Sequence, residues 1–250
     1  MAYHESGLQM LPSSSSSPLI AVVGCDGSGK STVTEALQAW LEGFHPTVTC
    51  HLGKQSGNMG RALARLPLMG PGMERSLRKR AQAAQGAKGP GLVTAMGIYA
   101  FVIRRFRRFR RMVRLRDAGH IVIADRFPQI EVPGPMDGLG LANARPTGLV
   151  GWLARSEKRK FEQMAAYRPD LLIRLNVGLE VAQARKPDHR PASLARKIAD
   201  LSHLTFQGAP MVELDAEEPL ETVLAKAKAA IAEVLRSRYG LLVPPERASQ

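Results

Sequence analysis

The sequence predicts an α/β fold with a central parallel sheet of five strands and helices on both faces, and three observations carry that prediction. Five short apolar runs recur along the chain, helix-patterned stretches separate them, and a glycine-rich turn joins the first run to the first amphipathic stretch. At 250 residues the chain can bury a full core without disulfides or metals. No polar linker divides that core, so residues 18–240 read as one unit, with a flexible leader over 1–17 and a tail over 241–250.

The leader ends in PSSSSS, a stretch with little to bury. Residues 19–23 form an apolar, β-branched strand stopped by Gly24. An amphipathic helix follows from Ser31 to Gly43, with Val33, Leu37 and Leu41 on one face. Residues 47–52 are a second strand. A helix is expected near 73–85 and a longer one over 92–118, closed by Gly119. Residues 121–124 are a strand ending at Asp125. The stretch 128–146 has four prolines and three glycines and reads as loop. A helix over 149–166 leads to a strand over 171–175 and a short helix ending near Arg185. The charged turn 186–191 opens a helix running to about Phe206. A final strand over 211–214 and a final helix over 219–238 complete the pattern.

Composition narrows the function classes. No run approaches eighteen apolar residues, so no bilayer span is expected. Cys25 and Cys50 are too few for a disulfide framework, and no secretory start is visible, so a reducing cytoplasm is the expected location. Scattered histidines and cysteines argue against structural zinc. Against 22 acidic residues stand 35 basic ones, a formal charge of +13, which implies polyanionic company without choosing among nucleotide phosphates, nucleic acid and acidic lipid.

GCDGSGKST, residues 24–32, has the spacing GxxxxGK[ST] between a strand and a helix, the context of a phosphate loop and of the P-loop NTP hydrolase fold. Gly24, Gly27, Ser28 and Gly29 let successive amides converge on phosphate oxygens, and the helix dipole adds to that field. Lys30 is placed to reach the transferring phosphoryl group. Ser31 would offer its hydroxyl to Mg²⁺, and Thr32 completes the loop. The loop alone does not separate a kinase from a GTPase or ATPase, but no NKxD-type base-reading segment supports a GTPase. Asp26 lies inside the loop, where a carboxylate repels phosphates. It either caps and solubilises the loop or points away, toward a hydroxyl of a second substrate.

IVIADRFP sets Asp125 and Arg126 just after a buried strand, the end at which open α/β sheets bind ligands. There a carboxylate can hold Mg²⁺ through water and a guanidinium can neutralise charge moving between two phosphates. The preceding helix reads YAFVIRRFRRFRRMVRLR. Ile98, Val102, Phe106, Phe109 and Val113 form one apolar stripe, while Arg104, Arg107, Arg111 and Arg114 project elsewhere. Three readings stay open: a packed helix with a solvated basic face, a membrane-surface helix, and a nucleic-acid face. The first suits most of these arginines, although one near the N-terminal half can point into a cleft.

These motifs resemble the thymidylate kinase family, within the nucleoside monophosphate kinases. The matching parts are GCDGSGKST, the DRF of residues 125–127, PDLLIRLNVGLEVAQAR at 169–185, and ELDAEEPLETV after the last strand. The resemblance implies ATP as donor, with Lys30, Ser31 and Thr32 at its phosphates and Mg²⁺. It implies that Asp26 approaches the acceptor sugar and that Asp125 and Arg126 are the catalytic pair. Counting back from Gly119, it puts Arg104, or Arg105 one register on, at the acceptor phosphate. The loop carries no arginine, so Arg185, Lys186 and Arg190, in a short lid over 185–197, are implied to supply that charge. A homodimer through long helices is also implied.

The sequence departs from the family after the second strand, where HLGKQSG stands, and after DRF, where PQIEVPGPMDG stands. The chain therefore resembles the divergent thymidylate kinase-like proteins of bacteria. The expected activity is ATP- and Mg²⁺-dependent phosphoryl transfer to a nucleoside monophosphate or related small phosphorylated acceptor, without selectivity for dTMP. The alternatives are a nucleoside kinase of the same fold, and a non-enzymatic nucleotide-binding module whose basic helix contacts membrane or nucleic acid.

Overall fold

The computed structural model of the chain describes residues 16–53 and 89–243. The helix expected near 73–85, residues 1–15 of the leader and residues 244–250 of the tail lie outside the described residues. Within them the order is β1 (Leu19–Gly24), α1 (Lys30–Glu42), β2 (Thr47–His51), α2 (Leu92–Asp117), β3 (Ile121–Asp125) and α3 (Gly148–Ala166). Then follow β4 (Leu171–Asn176), α4 (Leu179–Arg185), α5 (Pro191–Ser202), β5 (Met211–Asp215) and α6 (Leu220–Tyr239).

The five strands pair in parallel in the order β2-β3-β1-β4-β5. Chain order reverses on either side of β1, which puts a crevice at the C-terminal ends of β1, β3 and β4. Alternate residues of β1 face opposite layers, as the two-residue period of a strand requires. Ile20 and Val22 pack with Val33, Leu37 and Leu41 of α1 and Ile231 and Leu235 of α6. Leu19, Ala21 and Val23 pack with Phe109 and Met112 of α2 and Phe161 and Met164 of α3. Burial on both faces is why the strands read as continuous apolar runs.

Two details differ from the sequence pattern. The inward stripe of α2 contains Val102, Phe109 and Met112, half-buries Ile98, Phe106 and Val113, and also admits Arg105 and Arg116. Arg116 is tolerated there because it lies over the Tyr167 ring at 5.3 Å and its Nη2 donates to Asp170 at 2.7 Å. The helix that opens at residue 191 stops at Ser202, short of Phe206. The buried Arg174 guanidinium on β4 donates from Nη1 to the carbonyls of Leu201 (3.2 Å) and Leu204 (3.1 Å), satisfying the end of α5 and the turn after it.

Candidate functional site

The turn between β1 and α1 is built for convergence of its amides. Gly27 and Gly29 have φ of 88° and 79°, the left-handed region that glycine enters without penalty. A Cβ on Gly27 would also meet the Ala182 carbonyl oxygen at 2.8 Å. Lys30, at the first position of α1, is buried and folds back so that its ammonium donates to the Cys25 carbonyl at 2.5 Å. Burial, and then the nearby Arg126 charge, pull its pKa down to about 8. Ser31 and Thr32 are exposed at the helix start, and the buried Ser28 hydroxyl has no partner.

Beside this turn, β3 ends in Asp125 and Arg126. Asp125 Oδ2 accepts from His51 Nδ1 at 2.5 Å, across the β2–β3 pairing, while its buried Oδ1 has no hydrogen-bond partner. Arg126 takes φ of 67°, strained for a residue with a side chain, and is pinned there by its amide donating to the Val22 carbonyl at 2.9 Å. That backbone turn is accompanied by a guanidinium set between two carboxylates, Asp26 Oδ1 at 3.0 Å and Asp137 Oδ2 at 3.5 Å. Gly53 makes room for it, because a Cβ there would collide with Arg126 Cδ. Burial works against the Arg126 charge, yet Asp137, Asp26 and Asp125 together raise its pKa.

Asp26 also receives Lys197 Nζ from α5 on Oδ2, with His189 Nδ1 3.6 Å from the same oxygen. Burial alone would raise its pKa; Lys197 first and Arg126 next hold the carboxyl well below the usual range. On the other side, Asp137 accepts from Arg105 of α2, through Oδ1 at 2.5 Å and its carbonyl at 3.0 Å. Lys197, Asp26, Arg126, Asp137 and Arg105 thus form one chain of alternating charge that links α5, the β1–α1 turn, the end of β3, the 128–146 loop and α2.

Next to Arg105 opens a cavity of about 670 Å³. Its described walls are largely apolar, including Phe101, Val132, Leu139 and Phe161, with Arg105, Arg108, Glu157 and Arg196 among the polar ones. Arg108 donates from Nη2 to the Gly53 carbonyl at 2.8 Å, but its buried Nε and Nη1 have no partner among the described residues. Burial, then the charges of Arg105 and Arg104, lower its pKa. Glu157 accepts from the amides of Gly140 (2.9 Å) and Leu141 (2.7 Å), which fixes the loop over the cavity.

No protein-family model matches the chain. The uncharacterized ATP-binding protein YghR of Escherichia coli (strain K12) is 42% identical over 217 residues, 85% of this chain and 86% of YghR. The uncharacterized ATP-binding protein YghS of the same strain is 42% identical over 219 residues, 85% of this chain and 92% of YghS. The chain belongs to the YghR/YghS family. Membership is in that family and not specifically among the thymidylate kinases. A deoxyadenosine kinase from M. mycoides, solved with bound dATP, is similar at a TM-score of 0.48 and 12% identity, over 86% of this chain and 98% of that one. That likeness is too distant to bear on substrate.

In this YghR/YghS-family chain the residues singled out by sequence divide into three groups. Gly24 to Thr32, Asp26, Asp125 and Arg126 come together at the sheet's C-terminal edge. Arg185 reaches the loop's backbone, donating to the carbonyls of Gly27 (3.2 Å) and Ala216 (3.0 Å), while Lys186 and Arg190 are exposed. Arg104 is exposed on α2, and the register alternative Arg105 is the one buried toward the cavity; a shift of one residue turns a helical side chain by about 100°. The sequence reading missed Asp137, His51 and Lys197, while Arg108 was its further alternative should the register at Arg104 slip. A carboxylate next to glycine in a Pro/Gly-rich loop after DRF was a usable signal for Asp137, and the end of a strand was one for His51. Lys197 gave none, being one basic residue among many.

Proposed function

We propose that the chain binds ATP at residues 24–32 and transfers its γ-phosphoryl group to a hydroxyl-bearing small molecule seated in the 670 Å³ cavity. The observation that carries this reading is the convergence of Lys30, Asp125, Arg126 and Asp26 at one sheet edge, one carboxylate away from that cavity. The names of YghR and YghS, ATP-binding proteins both, support the donor half. The reacting unit is residues 18–240 with its short lid over 185–197, acting in the cytoplasm, where ATP is abundant.

Mg²⁺ fits the residues present: the partnerless Asp125 Oδ1 is a hard oxygen, and the exposed Ser31 hydroxyl stands across the loop. When bound, Mg²⁺ neutralises donor phosphate oxygens. Lys30 leaves the Cys25 carbonyl for the γ-phosphate, and Arg126 spans the transferring group. Arg185, Lys186 and Arg190 of the lid add positive charge from the opposite side. Asp26 is held so firmly ionised that it is a poor base; its role is to orient the acceptor hydroxyl. In the transfer the acceptor oxygen bonds the γ-phosphorus as the bond from that phosphorus to the β,γ-bridging oxygen breaks; ADP leaves, and the hydroxyl proton passes late to an oxygen of the transferred phosphoryl group and from there to water.

Asp137 favours an acceptor without a phosphate, such as a nucleoside. It already neutralises Arg105 and Arg126, the arginines suited to an acceptor phosphate. The second reading, a monophosphate acceptor, is favoured by the two unpartnered donors of Arg108. A mass-spectrometric screen of nucleosides, monophosphates and other small alcohols with ATP and Mg²⁺ tests both. ADP and a phosphorylated acceptor are expected. ATP binding with no acceptor-dependent turnover would leave a nucleotide-binding module instead.

A further inference from the structure

The formal charge of +13 is not spread over the chain. Residues 54–117 hold sixteen Lys and Arg against two Asp and Glu, while the remaining residues hold nineteen against twenty. On α2 the excess is laid out on one side. At about 100° per residue, Arg104, Arg107, Arg110, Arg111 and Arg114 fall within one arc of about 120°. All five are exposed, and none pairs with a carboxylate among the described residues. Like charges three and four residues apart repel. Packing does not require this row, since the inward side of α2 is satisfied by Val102, Phe109 and Met112.

The same arc turns apolar toward the N-terminus of α2, where Leu92, Val93 and Met96 are 44%, 74% and 55% exposed. Helix α3 runs beside α2 in the same direction: Tyr99 meets Trp152, Arg105 lies over Phe161, and Arg116 lies over Tyr167. Its exposed Leu149 and Trp152 therefore fall at the apolar end, and its exposed Arg155 and Arg159 fall alongside the arginine row, while Lys158 is paired with Glu162 at 3.8 Å. The two helices together present a surface that is cationic along its length and apolar, with a tryptophan, at one end.

We infer that this α2–α3 surface docks on an anionic lipid bilayer, with the arginines on headgroup phosphates and the Val93, Met96 and Trp152 end in the interface. Anionic headgroups match the unpaired guanidiniums, and the acyl boundary matches the exposed apolar end. A nucleic acid would match the arginines but leave that apolar end in water. The row also offers no stacking platform, because Phe106 and Phe109 pack inward. The helices lie on the membrane and do not cross it: no helix among the described residues is long and apolar enough to span.

Co-sedimentation of the full chain with phosphatidylcholine vesicles, with and without phosphatidylglycerol, tests this, alongside a single-stranded oligonucleotide at the same salt. Retention is expected on the anionic vesicles only, declining as salt rises. Replacing Arg107, Arg110, Arg111 and Arg114 with Gln should weaken it by about a hundredfold or more. Trp152→Ser should weaken it by about tenfold with an unchanged salt slope. Circular dichroism checks that both variants fold; should the quadruple variant not fold, Trp152→Ser and the salt series decide. Three results would overturn the inference: no retention of the wild-type chain on anionic vesicles, equal retention of a folded quadruple variant, or tighter binding to the oligonucleotide.

Discussion

Arg105 and Asp137 form an ion pair 32 residues apart in sequence. The guanidinium is 2% exposed and donates to both the carboxylate (2.5 Å) and the carbonyl (3.0 Å) of Asp137. Removing Asp137 leaves the Arg105 guanidinium buried without its ion-pair partner, whereas removing Arg105 leaves Asp137 with Arg126 alone. Asp137→Ala should therefore cost about 3–5 kcal/mol of unfolding free energy in denaturant titrations. An Arg105→Met, Asp137→Leu double variant should lose less than either single change. A double loss equal to the sum of the singles would show that the pair does not act as a unit.

Lys30→Ala should reduce phosphoryl transfer to every acceptor by at least about a hundredfold. Its circular dichroism spectrum should remain that of the wild type, because among the described residues the lysine's one hydrogen bond is to its own loop at Cys25. Single-turnover measurements with saturating acceptor separate this loss from weaker ATP binding.

Gly53→Ala probes the space that Arg126 occupies. Gly53 has no left-handed φ, so the added methyl acts through collision with Arg126 Cδ and not through backbone strain. The arginine must move off Asp26 and Asp137. Turnover should fall by about tenfold or more while stability changes by about 1–2 kcal/mol. Wild-type turnover would show that the position of Arg126 is not needed for transfer.

Arg104→Ala should leave acceptor KM within about twofold of wild type, because its side chain faces solvent. Arg108→Ala should raise KM by about tenfold or more for an anionic acceptor and far less for a neutral one, since its two open donors face no protein acceptor. Measuring both variants against a matched nucleoside and monophosphate distinguishes the two acceptor readings.

The ionised Asp26 carboxylate links stability to pH. Lys197 and Arg126 hold its folded pKa below the ordinary value of 3.8, outweighing burial. The stabilisation is fully present above about pH 4 and is lost as pH falls through the folded value. Asp26→Asn lacks it. At neutral pH that variant should be less stable by about 1–3 kcal/mol. Urea unfolding at a series of pH values should show the gap closing below about pH 4; a gap that stays constant would rule out this linkage.

The local parts of the site were legible in the sequence because each depends on neighbours along the chain. The curl of Gly24 to Thr32, the strand before it and the amphipathic helix after it are set by glycine φ and by apolar period. The placing of Asp125 and Arg126 at a strand end follows equally from the apolar run before them. The five parallel strands follow from runs buried on both faces.

The partners of these groups came only from the fold. Asp26 meets Lys197 across 171 residues, and His51 meets Asp125 across 74. Arg104 and Arg105 are adjacent and chemically identical in sequence; one faces water and the other a carboxylate because about 100° of helix rotation separates them. Hydrophobic period fixes which way a helix turns its apolar side, but not which loop will lie against a charge at the edge of that side. That pairing is decided when the 128–146 loop is laid over α2 and Glu157 ties down the amides of Gly140 and Leu141, bringing Asp137 onto Arg105. The composition shows a basic excess, and only the packing of α2 against the sheet and α3 turns five of its arginines outward on one side.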